Sequence, residues 1–430
     1  MSNFDLVLRL FLQLTVILAV CRAIGWIGTR FFGQTQVVSE MIAGVLLGPS
    51  LFGLVAPEVQ AWLFPIKATV GGVTITHPSM SILYVLAQLG LVLYMFIVGL
   101  EFNPEYIRGR AKSAGLISGA GIVVPFALGA LIAFVLRGNA DLFQPGLSGW
   151  GAALFMGASM SITAFPMLAR ILYEKDITNT RLGVVTLAAG SIDDAIAWCL
   201  LAVVLASFQS NPQIAMMAIG GGIAYGLFMV VVGRGWLRGF EWWHQRGGSA
   251  ADEPGVGLFT LLMMVLMLCA WFTDYIGIYA VFGAFILGAC MPKGQFSALV
   301  IEKSEMVTTS LLLPVFFVYS GLNTQLGLVN TAGLWSLTAI IVLAAIGGKG
   351  VACLLAAKIS GESWRNALIV GTLMNARGLM ELIILNIGLE KKLITPMLFT
   401  MMVTMAVVTT LMASPLFQLL YRRQEADATA

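Results

Sequence analysis

The chain has 430 residues, of which 59% are hydrophobic and 10% are charged, whereas an ordinary soluble domain has roughly 45–50% and about 25%. Its formal net charge is +3, and no run of basic residues could follow a phosphate backbone, so composition excludes a soluble enzyme and a nucleic-acid-binding protein. A helix needs about 20 apolar residues to cross the hydrocarbon core of a bilayer. The sequence therefore predicts a multi-pass membrane protein.

Thirteen apolar segments, each bounded by charged residues, Pro or Gly, are predicted to be helices. In chain order they cover residues 4–29, 37–56, 79–100, 113–137, 148–172, 180–208, 213–240, 257–274, 277–291, 308–321, 334–358, 364–388 and 395–421. They predict an all-α polytopic fold with thirteen transmembrane helices. The five cysteines lie inside apolar stretches without a C-x-x-C pair, so we expect neither a disulfide nor a structural zinc site. We also expect no enzymatic activity and no cofactor.

The basic residues indicate the direction of the chain, because cytoplasmic loops are rich in Lys and Arg. With the N-terminus outside, sixteen of the 24 Lys and Arg residues fall on the inner side and five on the outer side, and Arg22, Lys349 and Arg377 remain within the membrane. The sequence therefore predicts an N-terminus outside and a cytoplasmic C-terminus. We expect the membrane to be a bacterial inner membrane.

An internal repeat relates the two halves of the chain. The segment YMFIVGLEFNPEYI at 94–107 is similar to VFFVYSGLNTQLGLV at 315–329, and each closes an apolar span. Seven helices separate equivalent positions, and this odd offset inverts the second copy, as in secondary transporters with inverted repeats. We predict a six-helix repeat over 1–208, a linker helix and cytoplasmic loop over 209–256, an inverted six-helix repeat over 257–421 and a short tail over 422–430.

Ionisable residues far from a helix end are predicted to mark the functional site, because each costs about 2.5–3.5 kcal/mol at the centre of a bilayer. Asp193 and Asp194 lie halfway along the sixth span, about 100° apart around the helix axis. One is therefore expected to face a cavity and the other a partner. The expected partner is Lys349, the lysine at comparable depth in the eleventh span. Arg377 and Glu381 complete the set.

The fifth span, with the sequence GASMSITAFPMLARIL, is predicted to be a broken helix. Pro166 lacks an N–H group and frees the carbonyl of Ile162, while Ser161 and Thr163 supply hydroxyls. Oxygen ligands of this kind beside Asp194 predict a cation site near the midplane. Two simpler interpretations are a proline kink and hydroxyls that join neighbouring helices.

The twelfth span, TLMNARGLMELIILNIG, occupies the equivalent place in the second repeat and carries Asn375 and Arg377 at corresponding depth. Arg377 could neutralise the negative ends of two half-helices that meet there. Alternatively, it could do no more than pair with Glu381, four residues later. Glu40 and Glu101 lie near helix ends, where solvated carboxylates are expected.

Five motifs resemble the monovalent cation/proton antiporter-2 family, above all its plant-type cation/proton exchangers and their bacterial relatives. They are QVVSEMIAGVLLGPSLFG, IVGLEFNP, SITAFPMLARIL, SIDDAIAW and MNARGLMELIILNIG, in chain order. The resemblance implies a thirteen-helix protomer that forms a homodimer, with a dimerisation domain and a moving core domain over 113–208 and 334–421. It also implies elevator-type alternating access for Na⁺ or K⁺ against protons.

The same resemblance implies a role for each residue of the site. Asp194 matches the essential ion-binding aspartate, Asp193 its polar neighbour and Lys349 the lysine that pairs in the core. The cation and protons would bind through Asp194 and Asp193 with Thr163 and Ser161, and the metal ligands for Na⁺ or K⁺ would be Asp194 and Thr163. The crossing helices and their dipoles would be served by Pro166, Asn375, Arg377 and Glu381.

Position 193 departs from the nearest look-alikes, which often have Asn or Gln there, and resembles the electrogenic sodium/proton members instead. We therefore expect an electrogenic antiporter, with an electroneutral K⁺/H⁺ exchanger as the alternative. The chain lacks the cytosolic Rossmann-type domain of some relatives, so no nucleotide-binding regulation is expected. Two other classes stay open: a sodium-coupled organic-anion symporter of similar fold and a channel, for which no carbonyl filter is evident.

Overall fold

The computed structural model describes residues 3–34, 36–70, 73–102, 110–163, 165, 168, 171–172, 177, 180–207, 212–246 and 255–429. Pro166, which was predicted to break the fifth span, lies outside the described residues. In chain order the helices are α1 Asn3–Phe32, α2 Gln36–Leu47, α3 Phe52–Val55, α4 Pro57–Leu63, α5 Pro78–Glu101, α6 Ala111–Leu136, α7 Gly149–Ser161, α8 Arg181–Ser207, α9 Pro212–Phe228, α10 Arg234–Arg246, α11 Val256–Tyr275, α12 Ala280–Cys290, α13 Gln295–Val307, α14 Leu313–Leu322, α15 Ala332–Ile359, α16 Trp364–Met374, α17 Leu379–Glu390 and α18 Pro396–Thr429.

Two π-helical turns join consecutive helices, Met229–Gly233 between α9 and α10 and Thr308–Leu312 between α13 and α14. A short 3₁₀ turn, Leu326–Leu328, precedes α15. Side-chain caps define where several helices begin, since an N-terminal hydroxyl can accept an otherwise unpaired N–H. Ser148 caps α7, Thr331 caps α15 and Ser363 caps α16.

The protein is a multi-pass membrane protein by the length and composition of its helices. Within the described ranges, ten helical stretches are long and apolar enough to cross a membrane, and each of the thirteen predicted segments contains a helix. The segments that fall short are α12, which is apolar but has 11 residues, and the two that are broken, α7 and the pair α16 and α17. The count of thirteen spans stays a prediction.

The fold is all-helical, as predicted, apart from one short hairpin that the prediction did not include, in which two antiparallel strands follow α4. β1 (Lys67–Val70) pairs with β2 (Val73–Thr76), with Lys67 opposite Thr76 and Val70 opposite Val73. The signal is present in the sequence KATVGGVTIT, since two β-branched runs separated by Gly-Gly are typical of a hairpin. A scan for apolar helices does not detect such a short polar element.

Two further expectations need correction. The tenth span begins at Gln295 rather than near 308, because α13 continues through its charged residues into the π turn and α14. Glu40 is buried, with 3% of its surface exposed, and Gln36 Nε2 donates to its Oε1 at 2.9 Å. That amide supplies the polar contact that was expected from water. Glu101 is exposed, as expected.

The chain divides into two compact units. Unit 1 comprises residues 1–14, 67–103 and 201–316, and unit 2 comprises 15–66, 104–200 and 317–430. The core of unit 1 includes Phe96, Leu262 and Phe296, and a core cluster of unit 2 includes Leu168 and Leu373. All the predicted ion-binding residues belong to unit 2. The inverted repeats and the predicted core domain over 113–208 and 334–421 stay predictions.

Candidate ion-binding site

Helix α8, whose residues up to 200 belong to unit 2, carries the two adjacent aspartates near its middle. Asp193 is 1% exposed and Asp194 is 0% exposed. Because successive residues of an α-helix are rotated by about 100°, the two side chains leave the helix in different directions. Two neighbouring carboxyl groups are therefore buried inside unit 2, about three turns from either end of α8.

Asp193 accepts hydrogen bonds from three side chains that come from three other parts of unit 2. Ser118 Oγ, on α6, donates to Oδ1 at 2.5 Å. Thr163 Oγ1, just after α7, donates to Oδ2 at 2.6 Å. Lys349 Nζ, on α15, donates to the same Oδ2 at 3.0 Å. Three donors, one of them charged, offset the cost of removing this carboxylate from water.

The ammonium of Lys349, like the carboxylate of Asp193, forms three hydrogen bonds. Besides Asp193, its ammonium donates to the backbone carbonyl of Gly121 at 3.0 Å and to that of Ser161. A lysine ammonium has three N–H donors, so each of them has an acceptor. Lys349 is 0% exposed, and it joins α15 to α6, to the end of α7 and to α8.

The first break lies directly after α7. The helix ends at Ser161, and Ile162 has an extended backbone with φ −69° and ψ 136°. The next residue, Thr163, donates its hydroxyl to Asp193, and its Oγ1 also lies 3.3 Å from the backbone carbonyl oxygen of Met374. The chain therefore leaves the helical path beside the aspartates.

The second break separates α16 from α17. Helix α16 ends at Met374, and helical structure resumes at Leu379 after an extended Gly378. Asn375, in the break, donates from Nδ2 to the carbonyl of Ile346 on α15 at 3.3 Å, and it is 3% exposed. This break forms without a proline.

Arg377 joins the two breaks. Its guanidinium donates to the carbonyls of Ser159 at 3.2 Å and Met160 at 2.6 Å, which belong to the last turn of α7. The carbonyl end of a helix carries partial negative charge, so the arginine neutralises the end of the broken helix. Arg377 also contacts Glu381 Oε2 at 3.3 Å, and both side chains are 0% exposed. The structure thus contains the contact with Glu381 and the contact with one of the two half-helix ends that were considered for this residue.

The two predicted hydroxyl ligands have different partners in the structure. Thr163, predicted to bind the cation together with Asp194 and Asp193, donates its hydroxyl to Asp193. The hydroxyl of Ser161 bonds back to the carbonyl of Ala158 at 2.9 Å, so it is the carbonyl of Ser161 that takes part in the site, as an acceptor for Lys349. Hydroxyls near a helix end commonly bond to their own helix.

Two residues of this network were not predicted from the sequence. Ser118 is a serine in the apolar helix α6, and Thr410 Oγ1, on α18, donates to the carbonyl of Arg377 at 2.9 Å. Each is a hydroxyl in an apolar span, which is a weak signal because most such groups bond to their own helix. The hydroxyl of Thr410 is within hydrogen-bonding distance of its own helix as well, since its Oγ1 lies 2.6 Å from the carbonyl oxygen of Ala406.

Comparison with known proteins decides the family. The model described as "sodium/hydrogen exchanger, transmembrane" matches residues 15–422. The chain belongs to the sodium/hydrogen exchanger family. It is 42% identical to "Na(+)/H(+) antiporter NhaS4" of Synechocystis over 412 residues, which cover 95% of this chain and 96% of that protein.

Plant and yeast proteins are also similar in sequence. "Cation/H(+) antiporter 18" of Arabidopsis thaliana is 35% identical over 96% of this chain, and "K(+)/H(+) antiporter 1" of Saccharomyces cerevisiae is 33% identical over 98% of it. The chain spans about half the length of these two proteins, 49% and 47%. The fold is similar to that of the sodium proton antiporter MjNhaP1 from Methanocaldococcus jannaschii, with a TM-score of 0.63 and 14% identity over 96% of each chain.

The site therefore combines two kinds of group that suit ion exchange in a family member. Buried carboxylates can hold either a proton or a cation, and their affinity for each depends on the neighbouring charges. The ends of broken helices add backbone dipoles close to these carboxylates. The site around Asp193 and Lys349 contains carboxylate, hydroxyl and backbone carbonyl oxygens, which are ligands for hard monovalent cations.

Proposed function

We propose that the protein is an antiporter that exchanges Na⁺, K⁺ or both for protons across a membrane, and that it is not an enzyme. The observation that carries this proposal is the buried pair Asp193 and Asp194, with the ammonium of Lys349 bonded to Asp193 beside two helix breaks. Carboxylates buried at this depth have few purely structural uses. Membership of the sodium/hydrogen exchanger family supports the same function.

In the proposed mechanism, protons and the cation compete for Asp194. Asp193 and Lys349 form a second titratable unit, whose pair breaks or re-forms as the ion arrives. If two protons exchange for one cation, each cycle moves one net charge. At 100 mV that charge is worth about 2.3 kcal/mol, enough to sustain roughly a fiftyfold cation gradient without a pH difference.

The proposed architecture follows the expectations from the sequence. Thirteen helices would form two inverted six-helix repeats, with the N-terminus outside and the C-terminus in the cytoplasm of a bacterial cell. Two protomers would form a homodimer, and the core domain over 113–208 and 334–421 would carry the ion across by an elevator movement. The contacts of Arg377 and Thr163 between the two breaks support movement of both broken helices as one body.

Both Na⁺ and K⁺ are kept as proposed substrates. The names of the similar proteins from Synechocystis and yeast refer to Na⁺/H⁺ and K⁺/H⁺ exchange respectively. Carboxylate, hydroxyl and carbonyl oxygens serve either ion, and the size of the cavity selects between them.

The test is collapse of an imposed pH gradient in proteoliposomes, with Na⁺ and K⁺ added separately and with the membrane voltage either free or clamped. Antiport predicts a cation-dependent collapse, and electrogenic exchange predicts that a voltage alone can drive it. A response that ignores voltage would indicate the electroneutral alternative. Sodium uptake that requires an organic anion would contradict antiport, as would a flux independent of the proton gradient.

Asp194→Asn is the first variant to compare. We expect it to abolish exchange while the protein still folds, because asparagine preserves the shape but can neither bind a proton nor carry a charge. The matched control is Asp141→Asn, at an exposed position in the loop before α7, which should exchange normally. Exchange retained in Asp194→Asn, with normal size-exclusion behaviour, would contradict the role of Asp194.

A further inference from the structure

Helix α10 (Arg234–Arg246) carries an outward face that the proposed transport cycle does not use. It follows the π turn Met229–Gly233, in which Val230, Val231 and Val232 are 48%, 74% and 45% exposed. Exposed valines on a spanning helix are suited to contact with lipid chains. Directly after them the exposed residues change from apolar to basic and aromatic, as expected where a helix leaves the hydrocarbon core.

The inner face of α10 fixes the rotation of the helix. Leu237, Phe240 and His244 are buried, and they lie on one side of the helix at the spacing of a single face. The ring of Phe240 stacks on Phe296 with 5.9 Å between centroids, and His244 lies 5.7 Å from the same ring. These contacts within unit 1 turn the remaining side chains of α10 outward.

The acidic residue of α10 also points inward. Glu241 accepts the backbone N–H groups of Gln295 at 3.1 Å and Phe296 at 3.2 Å, and so it caps the first turn of α13. Its charge is therefore used at the positive end of that helix. The outward face keeps the guanidinium groups of Arg238 and Arg246, whereas that of Arg234 contacts Cys290.

These arginines are exposed. Within the ranges that the structure describes, neither Arg238 nor Arg246 forms an ion pair. Arg246 lies over the ring of Trp242 at 4.0 Å from the centroid, a cation–π contact that leaves its N–H donors available.

Three exposed tryptophans accompany the arginines. Trp236 is 79% exposed, Trp242 47% and Trp243 51%. Trp236 and Trp243 are seven residues apart and therefore lie on the same edge of the helix, between the buried face and the basic face. Tryptophan prefers the headgroup level of a bilayer, where its ring is apolar and its N–H group can bond.

We propose that the outward face of α10 binds the phosphate headgroups of anionic phospholipids. The tryptophan edge would lie against the interface, and the arginines would hold the phosphates, for which a guanidinium is well matched. The predicted topology places this end of the helix on the cytoplasmic side, where anionic lipids concentrate. The site is independent of the ion-binding residues and of the ion transported.

The test measures binding of phosphatidylglycerol to the full-length protein in detergent, by thermal shift, against phosphatidylcholine with the same acyl chains. We expect phosphatidylglycerol to raise the melting temperature more than phosphatidylcholine. In the double variant Arg238→Gln/Arg246→Gln, the apparent affinity for phosphatidylglycerol should fall on the order of thirtyfold, since each basic residue near a lipid surface is worth about one factor of five. Arg234 is kept because it also contacts Cys290.

The matched control is Lys391→Gln/Lys392→Gln, which removes the same two charges from an exposed turn after α17 and should leave the lipid preference unchanged. Equal loss in both double variants would contradict a specific site. Equal shifts with the two lipids would overturn the proposal, and so would the same shift with inorganic phosphate, which would indicate a soluble ligand. A variant that only changes the oligomeric state, with lipid preference intact, would identify the face as a contact between copies.

Discussion

Lys349 Nζ lies 3.0 Å from Asp193 Oδ2, and these two oppositely charged side chains are 0% and 1% exposed. A buried pair of this kind contributes little net stability by itself, but removal of one partner leaves an uncompensated charge and typically costs about 3–5 kcal/mol. The pair therefore links α15 to α8. It also places two opposite charges in the site, where a bound ion could interact with them.

Replacement of Lys349 by Met should lower the free energy of unfolding by about 3–5 kcal/mol, because Asp193 would keep only its two hydroxyl donors. Thermal denaturation in detergent measures the loss. Asp193→Asn/Lys349→Met should recover part of it, since the double variant removes both charges of this pair and leaves neither one uncompensated. The control Lys112→Met, at an exposed position at the start of α6, should melt like the wild type. A double variant no more stable than Lys349→Met would contradict the ion-pair account.

Close packing of α15 on α16 should be sensitive to a single methyl group. A Cβ atom at Gly371 would lie 2.5 Å from the backbone oxygen of Gly350 and 3.1 Å from Leu354 Cβ, so one helix must move. We expect Gly371→Ala to cost about 1–3 kcal/mol and to reduce exchange by displacing Lys349. Gly347→Ala, also on α15 but with nothing within 4 Å of the added atom, is the control for melting and transport assays. Equal behaviour of the two variants would argue against this packing.

Arg181 and Glu362 connect the start of α8 to the turn between α15 and α16. Arg181 Nε lies 2.7 Å from Glu362 Oε1, and Asn366 Nδ2 donates to the other carboxylate oxygen at 3.2 Å. Because the arginine side chain is 57% exposed, solvent screens the pair, and a double-mutant cycle on Arg181 and Glu362 should return about 1 kcal/mol or less.

The control cycle uses Glu302 and Lys303, whose side chains are 69% and 46% exposed. Lys303 Nζ lies 3.8 Å from Glu302 Oε1. We expect no measurable coupling there. The Arg181–Glu362 coupling should also weaken in high salt. A coupling that is absent at low salt, or equal in the two cycles, would mean that the first pair does not hold α8 and α15 together.

Lys293, in the turn between α12 and α13, should make stability depend on pH. Burial lowers its pKa to about 8, below the usual value near 10.4 for lysine, while Nζ donates to the carbonyls of Gly99 at 3.2 Å and Leu100 at 2.5 Å. Between about pH 8 and pH 10.4 the unfolded chain binds more protons at this residue than the folded protein does. The contribution of Lys293 to stability therefore rises with pH in that window and is constant below it.

Lys293→Arg provides the comparison, because arginine stays protonated throughout this range. The melting temperature of the wild type should rise relative to that of the variant as the pH increases from 8 to 10. Parallel melting curves over these pH values would show that Lys293 does not release its proton on folding.

The sequence could predict which spans carry the site, because charge within apolar segments is costly and therefore rare. It could not predict that Thr163 bonds to Asp193, since the direction of that hydroxyl depends on the extended backbone at Ile162. Ser118 was missed for a similar reason: a serine in an apolar helix usually bonds to its own backbone. The break at Asn375 lacks a proline, so local sequence indicated it only through the repeat.

The two helix breaks differ in how far the local sequence of the span indicates them. The predicted cause of the first, Pro166, lies outside the described residues, and helix α7 ends five residues before it. In the second, the amide of Asn375 bonds to α15 rather than to its own helix. Contacts between distant segments determine where these helices end. The hydrophobic periodicity within one segment gives no information about such contacts.

Main-chain oxygens supply two of the three acceptors of Lys349, those of Gly121 and Ser161, and two of the acceptors of Arg377. A backbone carbonyl is the same group whatever side chain follows it. Substitutions at 159, 160 or 161 can therefore accumulate without removing these bonds, as long as α7 still ends at the same place. The bonds of Lys349 and Arg377 therefore depend on the residues that determine the path of the backbone. A comparison of the side chains that surround these two residues would overlook them.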